Sequence, residues 1–156
     1  MRVDVAVSIA CLTFVPAWAG GLQDANKAVV RGFFEEVLDQ GHLDRYSQSH
    51  AASFVVHTPS GDAPLSMDMA YAAEERKALP DMRVTVNQLL AEDDVVAISW
   101  VARGTNTGDG MGFHATNAKV VVPGMTFFRL KDGKITEEWG VFDMAAAMRQ
   151  AGLCSK

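Results

Sequence analysis

Phe128-Arg129-Leu130-Lys131-Asp132-Gly133-Lys134-Ile135-Thr136-Glu137-Glu138-Trp139 reads as two strands joined by an Asp-Gly turn. A two-residue Asp-Gly loop selects a type I′ hairpin, because its twist matches that of the strands it joins. The turn predicts a register in which Lys131 faces Lys134, Leu130 faces Ile135, Phe128 faces Glu137, Thr126 faces Trp139 and Val122 faces Asp143. Alternation along each strand then sorts the side chains into two faces. Leu130, Phe128, Ile135, Trp139 and Val141 make an apolar face that helices would cover, and Lys131, Arg129, Lys134, Thr136 and Glu138 make the other. On this register Glu137 and Asp143 project into an apolar interior, where ionisation is costly and a carboxyl pKa rises toward the range useful for acid/base work. Two other readings stay open: Glu137 pairs with a helix cation, or Asp143 caps a final helix that begins Asp143-Met144-Ala145-Ala146. Pro123 adds a third, a bulge that would move Asp143 to the opposite face.

Working outward, strands are predicted over 82–90, 95–103 and 118–130 before the hairpin and 134–142 after it, with an acidic turn at Glu92, Asp93 and Asp94. Upstream the apolar period lengthens. Ala28, Val29, Phe33, Phe34, Val37 and Leu38 share one stripe of a helix over 24–40 that stops at Gly41. A short second helix over 43–52 precedes a β-rich run, Ser53 to His57. Thr58 to Pro64, with Pro59, Gly61 and Pro64, reads as loop. A third helix spans 67–79 with Ser66 as N-cap, and a terminal helix follows at 144–151. Helices first and strands after predict an α+β layer, a curved and mainly antiparallel sheet packed against three N-terminal helices.

The N-terminus has a different grammar. Arg2, an apolar run from Val5 to Val15, Pro16 and then Ala17-Trp18-Ala19 match a secretory signal cleaved near residue 19. The run falls short of the ~20 residues a spanning helix needs, so no membrane association is expected after cleavage. A lipid anchor at Cys11 is the alternative reading. The domain would then be 20–156, in the periplasm or secreted. Cys154 would be its only cysteine, with no internal disulfide. Loss of Arg2 with Asp4 leaves the formal charge at −5. No basic stripe interleaved with aromatics appears, which argues against nucleic acid as a partner.

Together these segments resemble the SnoaL-like polyketide cyclase group, also called ester cyclases, of the nuclear transport factor two-like superfamily. The resemblance rests on Gly41-His-Leu-Asp44, Phe54-Val-Val-His57, Leu79-Pro-Asp-Met-Arg-Val84, Val101-Ala-Arg-Gly-Thr-Asn-Thr-Gly108, and the hairpin through Trp139 with Asp143. It implies a cone-shaped fold around an internal cavity and chemistry without a cofactor. In that chemistry a cavity carboxylate removes a proton next to a carbonyl, and polar neighbours hold the enolate. Asp143 matches the acid, with Glu137 as a second cavity carboxylate and His57 as its orienting partner. Trp100, Trp139 and Tyr46 could line a pocket for a flat ligand. His114 lies in a glycine-rich segment, 108–117, that could cover the mouth. His42 and His50 lack metal-like spacing, so no metal is expected.

The expected activity is that of a lyase, isomerase or cyclase acting on a small hydrophobic carbonyl compound. A binding protein of the same fold without turnover is the alternative. Met125, Phe127 and Phe142 on the outer face predict a homodimer through the sheets, with Arg129 and Glu138 at its rim.

Overall fold

In the computed structural model, which describes residues 18–154, the first helix, α1 (Trp18–Gly32), runs straight into a π-helical turn, Phe33–Asp39. Val30, Phe33, Phe34 and Val37 are buried along this segment, as their spacing predicts. The wide turn carries a bond from the Gln40 N–H to the Glu35 carbonyl at 3.3 Å, and Gly41, at φ +79°, ends it. The expected signal lies outside the described residues apart from its last two positions.

The second helix is shorter than the sequence predicts. A single 3₁₀ turn, Leu43–Arg45, leads to α2 (Tyr46–Ser49), and β1 (His50–Thr58) starts at once. The stretch read as loop contains a further strand, β2 (Gly61–Pro64), paired antiparallel with β1. Pro59 and Gly61 thus mark a hairpin rather than an irregular connection. α3 (Leu65–Ala78) begins two residues early, with Pro64 in the N-cap position and no side-chain cap there. Proline suits a helix start because the missing N–H would have had no helical partner.

The meander follows as β3 (Arg83–Glu92), β4 (Val95–Thr105), β5 (Lys119–Lys131) and β6 (Lys134–Phe142), and α4 (Met144–Gln150) closes the chain. The six strands form one sheet in the order β2-β1-β6-β5-β4-β3. All neighbours are antiparallel except β1 and β6, which run parallel. The inner face packs Phe54, Val96, Ile98, Phe128, Leu130 and Ile135 against Val30, Phe33, Phe34, Val37, Tyr46 and Ala72. This is the expected cone. No helix among the described residues is long and apolar enough to cross a membrane.

Beyond its turn the hairpin departs from the predicted register. Asp132 and Gly133 both have positive φ, at +52° and +73°, as a type I′ turn requires. Lys131 pairs with Lys134 and Leu130 with Ile135, as predicted, but Arg129 then pairs with Glu137 and Phe128 with Glu138. Thr136 is the extra residue of a β-bulge, and its hydroxyl donates to the Arg129 carbonyl at 3.2 Å. One extra residue exchanges the faces of everything beyond it. Glu137, Trp139 and Val141 therefore face outward, and Glu138, Gly140 and Phe142 face in.

Candidate active site

On the outer face the bulge builds a polar row. Glu137 accepts from Arg129 at 2.9 Å and meets His57 Nε2 at 3.1 Å, while His57 Nδ1 meets Asp62 at 2.8 Å. The His57 and Trp139 rings stack with centroids 4.6 Å apart, and the Arg129 guanidinium lies over the same indole at 5.4 Å. The Arg129 and then the His57 bonds hold the Glu137 carboxyl below the usual range, and Asp62 first and Glu137 second raise His57. His57, expected to orient Asp143, instead meets Glu137, and both lie on the outer surface of the sheet rather than in the cavity. Asp143 is exposed and caps α4, accepting from the Ala146 N–H at 2.8 Å. His114 is an exposed loop residue facing Asp109 at 3.1 Å. Of the aromatic candidates, Trp139 is on the outer face, whereas Trp100 and Tyr46 are inside. Trp100 donates to the buried Thr126 hydroxyl at 3.0 Å.

The interior polar groups are different ones. Asp68, Ala72, Glu75 and Leu79 occupy one stripe at and just beyond α3, which directs two carboxylates toward the sheet. Glu138 comes to meet them from the middle of β6. Tyr46 donates its hydroxyl to Asp68 Oδ2. His50, 3% exposed, opens β1 with its ring stacked on Tyr46 and edge-on to Phe33 and Phe54. Among the described residues no cation pairs with Asp68, Glu75 or Glu138. Arg76, beside Glu75 in sequence, directs its guanidinium to the carbonyls of Met82, Leu38 and Asp39.

Electrostatics follow from that arrangement. Burial, and after it the charges of Asp68 and Glu75, pushes the Glu138 carboxyl up to about 8. Burial and Asp68 push Glu75 up to about 7, against an opposing pull from Arg76. Burial raises Asp68 while the Tyr46 hydroxyl draws it back, and burial lowers His50 to about 4.

Beside this cluster a pocket of about 90 Å³, open to solvent on one side, runs between α3, the far end of β5 and α4. Phe113, Val120, Val122, Phe142, Met144 and Met148 line it, and Glu75 is its one carboxylate. The 108–117 segment does reach the mouth, through Gly110, Met111 and Phe113. It is held rather than loose. The buried Asn106 bonds the Ala78 carbonyl at 3.2 Å and the Thr116 N–H at 3.0 Å. A Cβ on Gly110 would lie 2.4 Å from the Glu74 carbonyl oxygen, so only glycine permits this approach to α3.

The sequence pattern does not mark Asp68, Glu75, Glu138 or His50 as site residues. One signal was available: Asp68 and Glu75 interrupt the apolar stripe of α3 at helical spacing.

The comparisons with known proteins agree with the cone. No curated protein matches the chain. Among solved structures, IdmH from Streptomyces antibioticus is 24% identical with a TM-score of 0.72, the match covering 81% of this chain and 98% of that one. AclR from Streptomyces galilaeus is 22% identical with a TM-score of 0.79, covering 86% of this chain and 85% of that one. A SnoaL-like polyketide cyclase from Agrobacterium tumefaciens is 19% identical with a TM-score of 0.64, covering 83% and 96%. The family model for SnoaL-like polyketide cyclases matches residues 28–151, nearly the whole described domain, and the chain belongs to that family.

Proposed function

We propose that the protein is a cyclase or isomerase for a small hydrophobic carbonyl compound, with Glu75 as the group that meets the substrate. The observation that carries this reading is a pocket whose walls are apolar except at Glu75 and Asn106, with Glu75 in electrostatic reach of the buried carboxyls of Asp68 and Glu138. A ligand that fills such a space is uncharged and largely apolar. The Glu75 carboxylate takes a proton from the carbon next to the carbonyl, and the electron pair of that C–H bond moves into the enolate. In a cyclase the enolate carbon then bonds to a second carbonyl of the same molecule, and the alkoxide formed takes up the proton.

The test is α-proton exchange in deuterated water, followed by NMR with a panel of small hydrophobic ketones and β-keto esters. Glu75→Gln should lower the exchange rate by about 10²- to 10⁴-fold while the ligand still binds. Exchange at the wild-type rate in that variant removes Glu75 from the reaction. Binding with no exchange in the wild type would support a binding protein instead.

Export belongs to the same proposal, supported by the signal-like grammar of residues 1–19. Protein recovered from an extracytoplasmic fraction should begin at or near Gly20, and an intact Met1 there would refute export. Pairing of two copies through the outer sheet face completes it, supported by the exposed apolar side chains there.

A further inference from the structure

His50 is the interior group that carboxylate chemistry leaves unexplained. Its Nδ1 lies 3.1 Å from the Tyr46 carbonyl oxygen and 3.0 Å from the Ser49 hydroxyl. A carbonyl can only accept, so Nδ1 carries the ring proton and Nε2 keeps a free lone pair. Nε2 is fully buried and has no hydrogen-bond partner among the described residues. The imidazole cannot swing away, because Tyr46 stacks on it and the edges of Phe33 and Phe54 close round it. A nitrogen of this ring, a carboxylate oxygen of Asp68 and one of Glu138 all lie within 4.8 Å of one another. Three potential metal-ligand groups thus converge from three elements, and among the described residues no cation pairs with either carboxylate.

We propose that His50, Asp68 and Glu138 form a binding site for a divalent first-row transition-metal ion of the Zn²⁺ and Co²⁺ type. The neutral imidazole is the deciding ligand, since nitrogen donors favour these ions over Mg²⁺ or Ca²⁺, which prefer oxygen alone. Bond lengths of about 2.0–2.2 Å set tetrahedral donors about 3.5 Å apart, so the ligands must close by about an ångström. The supporting shell is already in place and comes from one residue: Tyr46 holds His50 through its carbonyl and Asp68 through its hydroxyl. Bonds of this kind orient metal ligands and fix the histidine tautomer. A bound ion and protons on the carboxyls are alternative ways to offset the same buried charge. The site is therefore tested by binding, whatever the catalytic outcome.

The experiment uses the full domain after EDTA treatment, in a Cys154→Ser background so that the exposed thiol takes no metal. Titration with Co²⁺ and Zn²⁺ by calorimetry should give one ion per chain, and bound Co²⁺ should show the visible absorption of a low-coordinate site. Asp68→Asn and Glu138→Gln, which keep side-chain shape, should each weaken binding, and Tyr46→Phe should weaken it by about 10- to 100-fold. His57→Ala should leave it unchanged, since His57, Asp62 and Glu137 on the outer face are the competing cluster. Absence of stoichiometric binding overturns the proposal. So does binding that survives both Asp68→Asn and Glu138→Gln, or that disappears with His57→Ala.

Discussion

Carboxyl groups that face one another in an apolar interior cannot all be charged, and this governs the residue scale. Glu75, pushed up to about 7, and Glu138, pushed up to about 8, hold protons in the folded chain that the unfolded chain gives up near its ordinary value of about 4.3. A raised folded pKa means that the stabilising proton is fully present below the unfolded value and lost as pH rises through the folded one. Stability should therefore decline between about pH 5.5 and about pH 8.5 by an amount on the order of a few kcal/mol. Asp39, Asp81 and Glu137 do not mask this trend. Their bonds to Arg83, Thr105 and Arg129 respectively hold them low, so their contribution is lost only in stronger acid. Urea unfolding in EDTA should show a lower midpoint at the higher pH, with the difference much reduced in Glu138→Gln. Equal midpoints in the parent protein would mean that these carboxyls are not desolvated in solution.

At the scale of elements the sheet depends on close approaches that a strand pattern does not display. Trp100 on β4 reaches across to bond Thr126 on β5, and its ring lies flat over Gly124, the residue paired with it. A Cβ on Gly124 would stand 2.2 Å from that ring. Gly124→Ala should lower stability by about 1–3 kcal/mol through overpacking. Gly32→Ala, at a helical position with nothing within 4 Å, should raise it by roughly 0.5–1 kcal/mol. Thermal melts that failed to separate the two would show that the indole moves aside freely. The same scale explains what could be read beforehand. Asp132-Gly133 announced its turn and first two pairs because local backbone chemistry fixes them. The bulge at Thr136 did not show, because a partner that favours it is distant in sequence: His57 from β1 joins the hairpin's own Arg129 in meeting Glu137 outside. One missed residue exchanged Glu137 for Glu138. His50 with Asp68 and Glu138 was out of reach for a related reason, since its members are brought together only by the closing of β1 and β6 in parallel.

On the scale of the whole molecule, the cone and its order of elements apart from β2 were legible, and the outer face keeps its apolar character with a changed membership. Phe142 has turned inward to the pocket, while Val141 is 75% exposed beside Met125 at 65%, Phe127 at 53% and, on β3, Leu90 at 69%. Arg129 and Glu137, not Glu138, now form the charged border near the turn. Four large apolar side chains on one exposed sheet face, bordered by charge, are more than a solvated surface needs. The proposed two-fold pairing buries the same patch on both copies, so a single substitution acts twice in the contact. Phe127 lies on β5 between the strands that carry Leu90 and Val141. Phe127→Glu should set two like charges in a desolvated contact and convert the dimer to a monomer in sedimentation equilibrium. The pocket lies on the other side of the sheet, so the monomer should still exchange substrate protons. An unchanged dimer would place the interface elsewhere, and a monomeric wild type would remove the pairing altogether.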